Sequence, residues 1–297
     1  MKSILILGST GMLGYGVLSS ITEYENVKIS ATVRSKIKLK KIKNKFPYNK
    51  IKKFHFLDVK KINQDKINAL IKNYDYIINC IGVIKPEINI SDAESVKNAI
   101  FINSVFPNML AEAVYKKNKK IFQIATDCVF SGKKGKYIES SPHDDVELYG
   151  VTKSLGEIKA KNFYNIRTSI VGREFSTKKS LVEWFLNQNN VALKGFANHN
   201  WNGVTTKAFG EFLYTIIYNN LEIPNLIHVI PKNVVNKYQL LKIFKNKFKT
   251  NVSIQNFKAP TKVDRSLSTI YKKKLDRIWK LTCFKDVPTI TKMLDLI

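Results

Sequence analysis

Ser3-Ile4-Leu5-Ile6-Leu7-Gly8-Ser9-Thr10-Gly11-Met12-Leu13-Gly14 is the stretch from which the fold is read. Its first half is a continuous apolar run that stops at Gly8, the pattern of a strand buried on both faces of a parallel sheet. Its second half spaces glycines at positions 8, 11 and 14 and leads into a helical pattern. Glycines so placed permit a tight turn, close approach of a pyrophosphate to the backbone, and close packing of helix on strand. An anion would sit at the helix N-terminus, where free N–H groups and the helix dipole favour it. Gly8, Thr10, Gly11, Met12 and Leu13 are the residues this places against the ligand. A glycine turn can be only a turn, but its place between a buried strand and a helix favours the nucleotide.

Outward from this unit, strands are expected at 27–33, 53–57, 76–82, 121–125 and 165–171, and helices at 63–73 and 93–117. Pro107 is expected to bend or divide the second of these helices. The repeated alternation argues for an α/β fold, a doubly wound parallel sheet of Rossmann type. Ligands of such sheets bind at the carboxyl ends of the strands. The second strand ends at Arg34, where an NAD site places an acid to bind the ribose 2′-hydroxyl. Arg34, with Ser35 and Lys36 beside it, suits the 2′-phosphate of NADP(H) instead, the plain alternative being a surface charge at a strand end.

The chemistry is read from Tyr149 and Lys153. Four residues apart on a helix, the phenol and the ammonium share one face, and a nearby positive charge would lower the phenol pKa. Leu148, Val151, Leu155 and Ile158 form a neighbouring apolar stripe, expected to face the core. The pair alone is weak evidence, since Tyr and Lys are frequent in this chain. The fifth strand, however, runs into Thr126-Asp127-Cys128, which places a hydroxyl at the same sheet edge 23 residues before Tyr149. His55, His143 and His228 read as surface or satisfied histidines.

Composition narrows the classes. A chain of 297 residues with 44% hydrophobic content can bury a proper core. The net charge of +27 would raise nucleic-acid or membrane binding, but only five of the 50 basic residues are Arg. Bidentate recognition of phosphate and guanine leans on Arg, so a solvated lysine surface is the better reading, with no nucleic-acid partner. No apolar run approaches the ~18 residues of a membrane span. Cys80, Cys128 and Cys283 have neither metal-ligand nor disulfide-framework spacing, so no metal site is expected and the reduced cytoplasm is the simplest compartment.

Gly8-x-x-Gly11-x-x-Gly14, Asp58-Val59, Thr126-Asp127-x-Val129-Phe130, Tyr149-x-x-x-Lys153 and Arg167-Thr168-Ser169 together resemble an extended short-chain dehydrogenase/reductase. Within that family the chain is similar to the dTDP-4-dehydrorhamnose reductase-like group. The resemblance implies that Asp58 and Val59 contact adenine, that Cys80, Ile81 and Gly82 flank the cofactor, and that Asn103 supports a proton relay. It implies that Lys153 holds the cofactor ribose while tuning Tyr149, and that Thr126, Tyr149 and Lys153 carry the catalysis. Members of the group have an aromatic residue where this chain has Cys128 and another where it has Ile170, which points to a related nucleotide sugar.

Beyond position 171 the pattern is less regular. Helices are expected at 179–190, 207–220 and 236–248 and a strand at 226–230. The resemblance implies a nucleotide-binding domain at 1–171, a smaller substrate-binding lobe at 172–297, and a return of 204–231 to the first. The polar and aromatic loop at 195–206 offers Asn200 and Trp201 to a sugar or base, or serves as a structured connection. Arg265 could fork onto a diphosphate or make a structural salt bridge. With Thr126, Asp127, Cys128 and Tyr149, these complete the expected substrate set. The implied activity is NADPH-dependent reduction of a nucleotide-diphosphate 4-keto-6-deoxy sugar, with a homodimer as an open assembly. The alternatives are a nucleotide-sugar epimerase or dehydratase and a non-catalytic NADP-binding regulatory subunit. Sugar dehydratases resemble Thr-Asp-Glu at 126–128, whereas a thiol stands at Cys128.

Overall fold

Strand β1 (Lys2–Leu7) buries Ile4, Leu5, Ile6 and Leu7 completely, which requires cover on both faces of the sheet it belongs to. The computed structural model describes residues 1–47, 49–115, 117–175, 180–188 and 191–297. The cover is visible in the packing. Ile4 and Ile6 lie in one cluster with Val17, Leu18, Phe209 and Phe212, from helix Met12–Ile21 and helix Thr206–Tyr218. Leu5 and Leu7 lie in another with Ile67, Ile71, Phe106 and Leu110, from helices Gln64–Ile71 and Phe106–Val114.

The sheet continues with β2 (Val27–Val33), β3 (Lys53–Phe56), β4 (Tyr76–Asn79), β5 (Lys120–Thr126) and β6 (Phe163–Thr168). Its seven strands run in the order Leu226–His228, β6, β5, β4, β1, β2, β3, and every neighbouring pair is parallel. The order reverses between β1 and β4. That reversal opens a crevice beyond the strand carboxyl ends, the place where such sheets take ligands.

Several expected elements are trimmed or divided. The strand expected at 165–171 splits: β6 ends at Thr168, and Ile170–Val171 pairs with Val204–Thr205 in a separate sheet. Strand β4 ends at Asn79, three residues short of its expected end, because Cys80 to Gly82 turn away into the crevice. The expected helix 93–117 is Ala93–Ile100, a five-residue π-turn at Phe101–Val105, and Phe106–Val114; position 116 lies outside the described residues. Pro107 gives the reason, since it has no N–H to offer the Asn103 carbonyl four residues back. Helix 179–190 is Leu181–Leu186, with 179, 189 and 190 outside the described residues. Helix Lys237–Phe248 begins one residue late because Asn236 is its cap, in a capping box with Gln239.

Two small sheets stand beyond residue 190. His199–Trp201 lies between Val235–Asn236 and Val263–Asp264, and Ala192–Phe196 pairs with Ser253–Phe257. Among the described residues no helix is long and apolar enough to cross a membrane.

Candidate active site

The glycine turn after β1 is built by contact rather than by composition alone. Gly8 has φ +80°, a conformation that favours glycine, and a Cβ there would lie 2.8 Å from Ile81 Cγ1. A Cβ on Gly14 would lie 2.2 Å from the Gly8 carbonyl oxygen, so the helix Met12–Ile21 can close on the turn only without a side chain there. Gly11 caps that helix with no side chain to bond its first N–H groups, and Gly11, Met12 and Leu13 line the crevice.

The crevice has a volume of about 540 Å³ and runs from the glycine turn to the Tyr149 helix, Leu148–Leu155. Gly8, Thr10, Gly11, Met12, Leu13, Arg34, Asp58, Val59, Cys80, Ile81 and Gly82 line one part of it. Thr126, Asp127, Cys128, Tyr149 and Lys153 line the other. Sequence reasoning missed Lys38, which lines the crevice beside Arg34. Burial and the Arg34 charge hold the Lys38 ammonium below the ordinary lysine range. A clue was available: Lys38 lies in the first turn of a helix that Ser35 caps through the Lys38 N–H.

Asn103 does not line the crevice. It is 1% exposed, its Oδ1 accepts from Val83 N at 2.9 Å, and its Nδ2 donates to Val83 O at 3.0 Å and Thr152 Oγ1 at 3.1 Å. It therefore holds the loop after β4 against the Tyr149 helix. It still stands close behind the site, since a Cβ on Gly82 would be 3.4 Å from Asn103 Oδ1 and 3.9 Å from Lys153 Nζ.

The apolar stripe of the Tyr149 helix meets the core only in part: Ile158 packs against the cluster that holds Leu5 and Leu7, and Leu148 is half-buried. Val151 is 39% and Leu155 59% exposed, while Gly150, Thr152 and Lys153 are the buried positions. The reason is steric: Gly150 is packed against the Cys128 carbonyl, where a Cβ would be 2.4 Å away, and only the face bearing glycine and Thr152 can approach so closely.

Electrostatics also departs from the simple reading. Burial, not the neighbouring ammonium, dominates at Tyr149 and holds the phenol well above its ordinary value, opposed by a hydrogen bond with the Thr126 side chain. Lys153 donates to Ile124 O at 2.8 Å, and burial pushes its ammonium down to about 8, against the opposing pull of Glu157. Cys128 is pushed up to about 12, first by burial and then by Asp127, so its thiol stays protonated. Burial also raises the carboxyl of Asp127. The arrangement offers a hydroxyl, a protonated phenol and an ammonium on one wall, enough to bind and protonate a carbonyl oxygen.

The three candidates from the second half lie elsewhere. Asn200 Nδ2 donates to Asp264 Oδ2 at 2.7 Å, Trp201 Nε1 donates to Ser169 Oγ at 2.8 Å, and Arg265 Nε donates to Phe130 O at 2.7 Å. Arg265 is also 3.6 Å from Asp145. None of the three lines the crevice. Their polar groups knit the strand His199–Trp201 and the 263–267 segment to the end of β5 and to the residues after β6. His55 bonds Tyr74 OH at 2.7 Å beside a second recess of about 790 Å³ along the outer strands, away from the Tyr149 helix. His143 and His228 both bond the Arg167 guanidinium. Among the described residues no group of three or more His, Cys, Asp or Glu is placed to hold a metal ion.

The fold is shared widely. The dTDP-4-dehydrorhamnose reductase of Clostridium acetobutylicum matches with a TM-score of 0.71 and 20% identity, over 98% of this chain and 96% of that one. The dTDP-4-dehydrorhamnose reductase of Bacillus anthracis, solved in complex with NADP, matches with a TM-score of 0.72 and 16% identity, over 99% and 98%. The UDP-glucuronic acid 4-epimerase of Bacillus cereus, solved with UDP-glucuronic acid and NAD, matches with a TM-score of 0.73 and 12% identity, over 99% and 97%. No curated protein sequence matches this chain. The family model described as the RmlD substrate binding domain matches residues 1–293, nearly the whole chain, and the protein belongs to that family.

Proposed function

We propose that the protein is an NADPH-dependent reductase of a nucleotide-activated 4-keto-6-deoxy sugar. The observation that carries this reading is the convergence of Thr126, Tyr149 and Lys153 on one crevice whose other end is the glycine turn. The residues present fit a dinucleotide. The Gly8 turn and the N–H groups behind Gly11 suit its pyrophosphate, Asp58 and Val59 its adenine, and Arg34 with Lys38 a 2′-phosphate. Cys80, Ile81 and Gly82 flank it, Asn103 braces the loop they stand on, and Lys153 reaches the ribose. NADPH supplies the hydride; the chain supplies position and a proton. Thr126 hydrogen-bonds the ketone oxygen and Tyr149 delivers its proton to that oxygen, help worth roughly 10² to 10⁴ in rate.

The same reading divides the chain into a nucleotide-binding unit, 1–171 with 204–231, and a substrate lobe from the rest of 172–297. It also places the protein in the cytoplasm and pairs two copies through the exposed Ile100, Val105, Val151 and Leu155. The test is incubation with NADPH and a UDP- or dTDP-4-keto-6-deoxyhexose, followed by nicotinamide absorbance and product mass. Stoichiometric NADPH oxidation with a two-hydrogen gain in the sugar is expected. Loss of water from an intact nucleotide hexose, or its isomerisation, without net NADPH oxidation would replace the reductase by a dehydratase or an epimerase.

A further inference from the structure

The face of the sheet that carries Leu5 and Leu7 is only partly covered. Strand register sets Ser3 beside Lys28, Leu5 beside Ser30, and Ser30 beside Lys53, so β2 and β3 present Lys28, Ser30, Lys53 and His55 where β1 presents leucines. Helix Gln64–Ile71 covers the leucines with Ile67 and Ile71, and turns another side, bearing Lys66, Ala69 and Leu70, toward the outer strands. The space left between helix and outer strands is the recess of about 790 Å³, larger than the crevice at Tyr149.

This recess is lined as an anion site rather than as an unfilled core. Lys28, Lys52, Lys53, Lys61 and Lys66 surround it against a single carboxylate, Asp58. The imbalance belongs to this part of the chain: from Arg34 to Lys66 there are thirteen Lys and Arg and only two carboxylates, Asp58 and Asp65. Among the described residues the one hydrogen bond these five ammonium groups make is from Lys66 Nζ to Lys61 O at 3.3 Å. On the floor, Ser30 is 2% exposed and its hydroxyl bonds no described residue, whereas the Ser3 hydroxyl at the far end donates to Asp75 at 2.7 Å. A buried hydroxyl without a partner is costly, and like charges gathered round one concave surface repel. An anion with several acceptor oxygens relieves both.

We propose that the recess is a second ligand site, for a small anion bearing two or more phosphoryl groups. Lys28, Lys52 and Lys53 come from the sheet side, Lys61 and Lys66 from the helix and the turn before it, so charge spread over more than one phosphoryl group engages both walls. The proposal does not rest on the reductase reading. Because Leu57 and Asp58 line both the recess and the crevice, the test must separate the two spaces.

Calorimetric titration with inorganic pyrophosphate, with and without saturating NADPH, makes that separation. One saturable site is expected, with a dissociation constant that does not climb in proportion to NADPH concentration. Lys28→Gln/Lys53→Gln should weaken it about five- to twentyfold, the loss of two exposed charge contacts. Ser30→Ala, which removes only the hydroxyl, should weaken it about two- to fivefold. Lys273→Gln/Lys274→Gln removes the same charge from helix Lys272–Leu281, which packs on the opposite sheet face, and should change it by less than about twofold. Repeating the titration with ADP identifies the source: tighter binding than pyrophosphate, with the same loss in Lys28→Gln/Lys53→Gln, assigns the phosphoryl groups to a nucleotide, and equal or weaker binding assigns them to a free polyphosphate. Absence of saturable binding overturns the proposal, as does competition with NADPH. Equal losses in the two double variants also overturn it, since they would mean attraction to net charge alone.

Discussion

Tyr149 carries two opposed influences, and their magnitudes decide its role. A hydrogen bond with the Thr126 side chain favours the phenolate, but burial disfavours any charge, and here burial prevails. The phenol therefore keeps its proton throughout the neutral range, which suits a donor to a ketone oxygen. Tyr149→Phe is expected to cut kcat by about 10²- to 10⁴-fold while the NADPH dissociation constant stays unchanged, measured by turnover and fluorescence titration. Lys153 behaves in the converse way: burial brings its folded-state value to about 8, against about 10.4 for a free lysine. Above pH 8 the folded protein loses this charge, so kcat/KM should fall with an alkaline limb near 8. Between about 8 and 10.4 the unfolded chain binds the extra proton, so the stability of wild type relative to Lys153→Met should rise with pH in that window. A flat profile across both pH ranges would remove Lys153 from the site chemistry. The residues that converge were legible because a strand end and a helix fix their spacing locally. Asn200, Trp201 and Arg265 were not, because their partners Asp264, Ser169 and Phe130 lie far off in the chain and only the fold brings them together.

At the scale of elements, periodicity identified the Tyr149 helix but not which of its apolar side chains meet the core. A stripe of Leu148, Val151 and Leu155 states that the helix has two unlike sides; which side meets the sheet depends on how closely each can approach. Small residues set that approach here. Gly156 closes the helix at an ordinary φ of −88°, so backbone freedom does not explain the glycine. Proximity does: a Cβ at Gly156 would lie 2.0 Å from the Asn103 carbonyl oxygen, on the π-turn that precedes Pro107. Gly156→Ala should force the two elements apart, costing about 1–3 kcal/mol of stability. Because Asn103 braces the loop bearing Gly82, the same change should weaken NADPH binding. Thermal unfolding and cofactor titration would check both effects, and an unchanged midpoint would show that the contact is not limiting.

Across the whole molecule the parallel sheet was legible, because buried strands write themselves as apolar runs, whereas the small sheets beyond residue 190 were not. Their strands are two to five residues long and carry no such run. A buried polar network centred on Arg167 of β6, which is 0% exposed, ties the main sheet to the C-terminal segment. Its Nε and Nη2 donate to Glu157 at 3.0 and 2.5 Å, and its guanidinium lies 5.0 Å over the Phe130 ring. Nη1 donates at 2.7 Å to His228 Nε2 on the edge strand, while His228 Nδ1 donates at 2.6 Å to Ser268 O in the C-terminal segment. That pattern requires a neutral imidazole, since a proton on Nε2 would face a guanidinium. Burial first, then Arg167, pushes His228 down to about 4, against about 6.5 in an unfolded chain. Between these values the unfolded state takes up a proton that the folded state refuses, so stability falls as pH drops from 6.5 toward 4. His228→Gln retains an acceptor for Arg167 and cannot charge. Urea unfolding from pH 4 to 8 should therefore show a steeper acid-side loss for the wild-type protein than for His228→Gln, with the two curves parallel above pH 7. Parallel curves over the whole range would mean that His228 titrates alike in both states and that the network does not hold it neutral.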